Sequence, residues 1–306
     1  MTTATTSRRE YLERTAALLA DVFGARFSPA YLTWQYERSP EGHEIATDLA
    51  DESGRPLAHY VVVPQTWVSP AGRRPFALSL NTAVRPEARG RGMFTRLAEA
   101  TYETAHRDRG VAAVIGVANA SSTPGFTGRL KFSLYDLLPV TIGLARPSAP
   151  ASTRSHSSAA VDPQLWGSLD LTPRSGWMQE WTAEKLTWRL ASPLGPYGVH
   201  VHPSGVMVTA VARRGVPITL VLKVFARRGA PYVATRALLR AACRYHRTAV
   251  YLYAGYNGRA RVRGLPLPQR LRPAPLNLIY RALDASVPAA ADMRFETFEF
   301  LDFDAY

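Results

Sequence analysis

The chain has 306 residues, 46% of them hydrophobic, with one cysteine and a formal net charge of +13. It is long enough for two cores and too apolar for a disordered chain. Cys243 alone excludes an internal disulfide framework and a multi-cysteine zinc site, no run reaches the about 18 apolar residues of a membrane span, and the first residues lack a signal-peptide core. A soluble, cytoplasmic protein without a membrane partner is expected.

Residues 8–23 carry Leu12, Ala16, Leu19 and Phe23 on one face, which predicts an amphipathic helix. Ser28 and Pro29 open a second helix, as N-cap and first-turn residue, bearing Tyr31, Leu32, Trp34 and Tyr36. Residues 45–51, 56–63 and 76–84 read as successive strands, parted by the turn signals Ser53-Gly54 and Ser69-Pro70-Ala71-Gly72. After Arg85-Pro86, apolar residues return at helical spacing as Phe94, Leu97, Ala98, Tyr102 and Ala105. A further strand over 111–117 leads into a loop holding Asn119.

Between the third strand and its helix stands Arg89-Gly90-Arg91-Gly92. Two glycines at a helix mouth let the backbone approach a bound group, and the first-turn amides and helix dipole favour an anion. Such a turn also occurs before ordinary helices; its flanks make it specific. Strand, glycine turn, helix, strand and Asn loop in this order resemble the GNAT acyltransferase superfamily. The family's acyl-CoA motif, Arg/Gln-x-x-Gly-x-Gly/Ala, is matched by Arg89, Gly92 and, imperfectly, Phe94.

The resemblance covers about residues 8–143 and implies an α/β (α+β) fold with a mixed central sheet flanked by helices. It implies that the amides of Gly90, Arg91, Gly92, Met93 and Phe94 hold the CoA pyrophosphate. The pantetheine would lie between strand ends near Asn81, Ala83 and Val84 on one side and Val117 to Asn119 on the other. Phe94 keeps its amide, and its larger ring is expected to turn into the helix–sheet core. The Tyr that many relatives carry about seven residues after the Asn is missing; Pro124-Gly125-Phe126-Thr127 stands there.

Three domain segments are expected: 1–145 as the donor-binding domain, 146–163 as a Ser-, Ala- and Pro-rich linker, and 164–306 as a second half. Leu32-Thr33-Trp34 recurs as Leu186-Thr187-Trp188, and Ser39-Pro40-Glu41-Gly42 as Ser192-Pro193-Leu194-Gly195, at offsets of 154 and 153 residues. Strand-like runs over 206–212 and 218–225, a helical run over 233–245 and a strand over 250–253 follow. This reads as a degenerate GNAT-like half without the donor motif. From Lys185 to Leu283 it holds 17 basic residues and no acidic one. Arg213, Arg214, Arg227, Arg228, Arg240, Arg244, Arg259, Arg261 and Arg263 are therefore candidates for a polyanion-binding face.

Acyl transfer to an amine needs a base, oxyanion donors and a proton for the leaving thiolate. His59 on the second strand and Glu37 at the end of the aromatic helix are candidate bases; a strand His is also a common structural hydrogen-bonding residue, and Glu37 also suits a solvated helix end. Tyr135 and Asp136 are candidates to replace the missing Tyr, or else a strand-edge pair. Trp34 and Tyr36 are candidates for the acceptor pocket, although aromatics on a short helix usually pack in the core. Asp302 and Asp304 alternate with apolar residues and read as one face of a last strand, suited to an amine or a metal or, the favoured reading, paired with arginines. No cluster has convincing metal spacing. The expected function is N-acyl transfer from acetyl-CoA or another pantetheine thioester to a small-molecule amine. The alternative is an aminoacyl-tRNA donor held by the basic half, or an acidic carrier protein as partner.

Overall fold

Ser7 caps the first helix, α1 (Arg8–Phe23), by accepting from the Glu10 N–H at 3.2 Å. Ser28 caps α2 (Pro29–Leu32) in the same way, and the helix then widens into a π-turn over Thr33–Glu37. Both starts follow from a short oxygen-bearing side chain satisfying a first-turn amide. The computed structural model describes residues 7–24, 27–213, 215–272 and 274–303.

β1 (Ile45–Ala50), β2 (Pro56–Ser69) and β3 (Gly72–Val84) form an antiparallel meander. The helix α3 (Met93–Arg109) returns the chain to β4 (Ala113–Ala118), parallel to β3. After α4 (Thr123–Arg129) come β5 (Ser133–Leu137), the dipeptide Leu138-Pro139 and β6 (Val140–Leu144). Then follow β7 (Arg154–Ser157), β8 (Met178–Gln179) and α5 (Ala183–Leu190). A second meander, β9 (Gly198–His202), β10 (Gly205–Ala212) and β11 (Ile218–Ala226), leads through α6 (Thr235–His246) to β12 (Val250–Asn257), parallel to β11. The chain closes with β13 (Leu265–Pro266), β14 (Asn277–Ala282), β15 (Thr297–Glu299) and a short 3₁₀ turn, Phe300–Phe303.

These strands make two mixed sheets. The first runs β1-β2-β3-β4-β14-β5, with β8 on β2; the second runs β13-β6-β12-β11-β10-β9-β7, with β15 on β12. Both have the same order of meander, helix and parallel strand. Each then receives an antiparallel strand from the other half of the chain: β14 lies beside β4, and β6 beside β12. The boundary expected at residue 145 is thus crossed in both directions. The cause is local, because Leu138-Pro139 leaves β5 at the edge of one sheet and starts β6 in the other. The 146–163 segment is also no free linker, since β7 pairs with β9 and the Ser148 N–H donates to Arg240 O at 3.3 Å.

One continuous apolar cluster joins the sheets, with Trp67, Phe76 and Trp177 stacked at 5.4 Å steps. Where the two echoed motifs meet, Trp34 and Trp188 stack at 4.9 Å. Trp34 Nε1 donates to Trp188 O at 2.9 Å, and Trp188 Nε1 donates to Trp34 O at 3.0 Å. This reciprocity is what a two-fold-related contact produces.

Beneath α6, His200 Nδ1 lies 2.8 Å from Ser155 Oγ, and its Nε2 lies 2.8 Å from Thr209 Oγ1, which also contacts His246 Nε2 at 2.8 Å. Burial lowers the pKa of His200 to about 3, with His246 and His156 adding repulsion. Burial and then Arg213 lower that of His246 to about 4. An unfolded His takes up its proton near pH ~6.5. Their contribution is therefore fully present above that pH and falls by roughly 1.4 kcal/mol per unit per histidine as pH drops below it. Denaturant titrations at several pH values should give His200→Gln a slope shallower than that of the wild type by about one proton; identical slopes contradict the assignment.

Candidate functional site

β3 and β4 are paired from Phe76 opposite Ala113 to Ser79 opposite Gly116, and then they part. Separation coincides with a bulge, where the β2–β3 register shifts and Asn81 and Thr82 together oppose Tyr60. Asn81 has φ 48°, a left-handed conformation costly for a side chain other than glycine and common at functional sites. The strands open a cleft of about 680 Å³ lined by Asn81, Thr82 and Val84 on one side and Val117 and Asn119 on the other. Parallel strand ends that open like this form a ligand crevice between the sheet and its following helix.

The glycine turn stands at the N-terminus of α3. Gly90 and Gly92 have φ 77° and 71°, and a Cβ on either would meet open space. The first helical bond runs from the Arg96 N–H to Gly92 O at 3.1 Å, so the amides before it lie outside the helical ladder. Arg89, which lines the cleft, donates from Nε to Val84 O at 3.1 Å and ties the turn to β3, while Arg91 is exposed. Phe94 enters the core as expected, packing edge-to-face on Phe126 at 5.3 Å and against Tyr60 at 5.7 Å. A turn that leaves amides open beside a helix start can hold a pyrophosphate.

Behind Asn81 lies a buried polar chain. Asn81 Nδ2 donates to Gln35 Oε1 at 2.6 Å and to Tyr36 OH at 3.2 Å. Tyr36 OH is 3.3 Å from His59 Nε2, and His59 Nδ1 is 2.6 Å from Asp48 Oδ1. Burial raises the Tyr36 pKa well above its ordinary value, so its hydroxyl keeps its proton. His59 is fully buried and reaches the cleft only through Tyr36 and Asn81. It can orient Asn81, but it does not line the cleft.

The other candidates are placed elsewhere. Glu37 is held by Arg8 Nε at 2.8 Å. Tyr135 OH donates to Met293 O at 3.2 Å, and Asp136 accepts from Tyr256 OH. Trp34 stacks on Trp188, and Tyr36 is buried. Ala83 is buried beside the bulge. Asp302 sits on the closing 3₁₀ turn rather than on a strand, and it pairs with Lys223 at 2.6 Å rather than with an arginine. Asp304 lies outside the described residues. Among the described residues lining the cleft there is no Asp, Glu, His or Tyr.

The sequence reading missed part of the wall. Leu276 and Ile279, on and beside β14, and Phe303 line the cleft from the second half. The apolar run Leu276–Tyr280 was visible, but nothing local tells which sheet it joins. In the second sheet the matching gap is filled. β11 and β12 pair as far as Val221 opposite Tyr253, and beyond that Asn257 Nδ2 donates to Val224 O at 2.9 Å and β15 adds along Gly255 to Asn257. Gly255 has φ 126°, and a Cβ there would come within 2.1 Å of Phe298 O, so only glycine admits the plug.

Of the basic candidates, Arg259 is buried and structural, meeting Glu296 at 2.7 Å and Asp170 at 3.4 Å. Arg227 is half-buried and donates to Ser168 Oγ at 3.1 Å. Arg213, Arg228, Arg244, Arg261 and Arg263 are exposed and Arg240 is half-buried, while Arg214 lies outside the described residues. Among the described residues no three His, Cys, Asp or Glu side chains gather as a metal site, and no helix is long and apolar enough to cross a membrane.

Comparisons agree with this architecture. Residues 4–135 match the family model described as an acetyltransferase (GNAT) domain. No functionally curated protein matches the chain in sequence. A probable N-acyltransferase of unknown function from Enterococcus faecalis V583 superposes with TM-score 0.62 at 12% identity, over 90% of this chain and 71% of that one. A GCN5-related N-acetyltransferase from Kribbella flavida gives 0.61 at 17% identity, over 92% and 71%. Eis1 from Mycobacterium abscessus gives 0.53 at 16% identity, over 91% and 70%. The chain carries the GNAT fold, and its residues 4–135 match the GNAT acetyltransferase domain.

Proposed function

We propose that the protein is an N-acyltransferase moving an acyl group from acetyl-CoA or a related pantetheine thioester to an amine of a small-molecule acceptor. One observation carries this reading: the glycine turn at the start of α3 stands at the cleft between the parting ends of β3 and β4. Open amides there suit a pyrophosphate, and the apolar cleft walls suit an extended pantetheine arm. An aminoacyl-tRNA donor is disfavoured, because the arginine stripe of the basic half stands on α6, against the other sheet. We read the second half as a degenerate copy whose own cleft is plugged; the matching strand order and the reciprocal Trp34–Trp188 contact support this.

In this mechanism the amine attacks the thioester carbonyl, the amides at the Asn81–Thr82 bulge donate to the developing oxyanion, and the intermediate collapses with cleavage of the C–S bond, the thiolate leaving and taking a proton from water. Asn81 is fixed from behind by Gln35 and Tyr36, and Tyr36 in turn by His59. The amine attacks in its neutral form and passes its proton to water. The pH profile of kcat/KM should then follow the pKa of the acceptor amine, rising as that amine deprotonates. Thiol release from acetyl-CoA with primary amines of graded pKa tests this. Profiles that ignore amine pKa, or the absence of any CoA binding by calorimetry, would overturn it.

A further inference from the structure

We propose that the outer face of α6 and the loops beside it bind the phosphodiester backbone of nucleic acid. The helix buries Leu238, Leu239 and Ala242 against the second sheet, which turns Arg236 and Arg244 outward with the half-buried Arg240 between them. These recur every fourth residue, about 6 Å apart along the axis, and Arg247 extends the stripe. The Thr235 hydroxyl donates to Arg261 O at 2.9 Å, and Tyr251 OH donates to Arg263 O at 2.5 Å, which hold both arginines beside the helix. On another side, Ser148 meets Arg240 O and brings exposed Arg146 close.

Part of the acid-free stretch is neutralised by carboxylates from elsewhere in the chain, and this surface is not. Lys185, Lys223, Arg259 and Arg281 are paired by Glu41, by Asp302 and Glu299, by Glu296 and Asp170, and by Glu99, all from outside residues 185–283. Among the described residues, no carboxylate pairs with the seven arginines around α6. An ordinary solvated face mixes both signs; one with a single sign keeps a positive potential over its surface. Guanidinium groups match phosphate oxygens in geometry as well as charge. Tyr245, 38% exposed at the end of α6, adds a ring on which a base can stack. A backbone of phosphates asks mainly for charge, whereas a protein partner asks for an apolar centre that a stripe of arginines does not offer.

This inference does not rest on the acyl-CoA reading. Its test is fluorescence anisotropy with a labelled duplex DNA and a labelled single-stranded RNA of about 20 nucleotides, with poly-glutamate as the protein-like polyanion. Binding is expected to weaken about 10³-fold or more between about 50 and 200 mM salt. The variant Arg236→Gln/Arg244→Gln/Arg263→Gln removes only exposed guanidinium groups and should keep its thermal midpoint. It should reduce the log–log salt slope for the duplex by about 3, whereas Arg9→Gln/Arg107→Gln on α1 and α3 should not. Failure to bind either nucleic acid at about 50 mM salt, or undiminished binding by the triple variant, overturns the proposal. Tighter binding of poly-glutamate than of both nucleic acids overturns it in favour of an acidic protein.

Discussion

Gly92→Val is expected to lower CoA affinity by about a hundredfold or more while the protein stays folded. The position has φ 71° and open space where a Cβ would stand. That space faces the first-turn amides of α3, so a branched side chain would occupy the volume an anion needs. It would also strain the left-handed backbone and turn the amides away. Losing one or two charge-assisted hydrogen bonds costs about 3 kcal/mol, or roughly two decades of affinity. The strain itself costs about 1–3 kcal/mol, which a protein of this size should survive. Calorimetry with CoA alongside a thermal melt separates the two effects. Gly92→Ala, with less bulk, should fall between. Wild-type affinity in Gly92→Val would move the anion away from this turn and remove the main support for the acyl-CoA reading.

Lys223→Met should be the most destabilising single change in the second half, by about 3–5 kcal/mol. Lys223 is 1% exposed and meets Asp302 at 2.6 Å and Glu299 at 3.2 Å, both fully buried. Asp302 also accepts from Trp181 Nε1 at 3.0 Å and from the Glu299 N–H at 2.7 Å. Burial pulls the lysine pKa down, but Asp302 and Glu299 outweigh it and raise it. Methionine fills the volume and leaves two carboxylates facing each other without a cation. Urea unfolding should show the loss with an unchanged slope, and Lys223→Met/Glu299→Gln should recover part of it. Equal stability of wild type and Lys223→Met would contradict this account.

The same cluster sets a pH dependence. Burial pushes the Glu299 carboxyl from 4.5 up to about 7, although Lys223 opposes this. The folded state thus keeps a proton that the unfolded state releases. This group's contribution is complete below the unfolded value and is lost as pH rises through about 7. That sign is opposite to the one at His200 and His246, which is why the histidine effect must be read as a difference between wild type and variant. Without Lys223 the carboxyl would hold its proton to still higher pH, so the loss in Lys223→Met should deepen toward alkaline conditions.

Local chemistry made much of the first domain legible. The Ser28 cap, the 8–23 helix, the turns at Ser53-Gly54 and Ser69–Gly72 and the α3 start rest on residues within one or two turns of each other. The glycine turn was legible for the same reason, since positive φ and open amides are local properties. The catalytic candidates fared differently. His59, Glu37, Tyr135 and Asp136 have suitable chemistry, but their partners are Tyr36 and Asp48, Arg8, Met293 and Tyr256. Which group a side chain meets across tens or hundreds of residues depends on packing, not on its own neighbourhood.

By itself the sequence determined a GNAT-like first domain, one glycine turn at Arg89–Phe94, a repeated Leu-Thr-Trp motif and a block of positive charge. Each is a matter of period, local backbone conformation or composition. Tertiary structure alone decided that β14 and β6 trade sheets, that Leu276, Ile279 and Phe303 line the cleft at β3 and β4, and that β15 closes its counterpart. It also sorted the arginines, burying the Arg259 side chain in ion pairs and leaving Arg236, Arg244 and Arg247 in water. Strand partners and charge partners come from distant segments, and the burial that selects among them exists only once both sheets have packed.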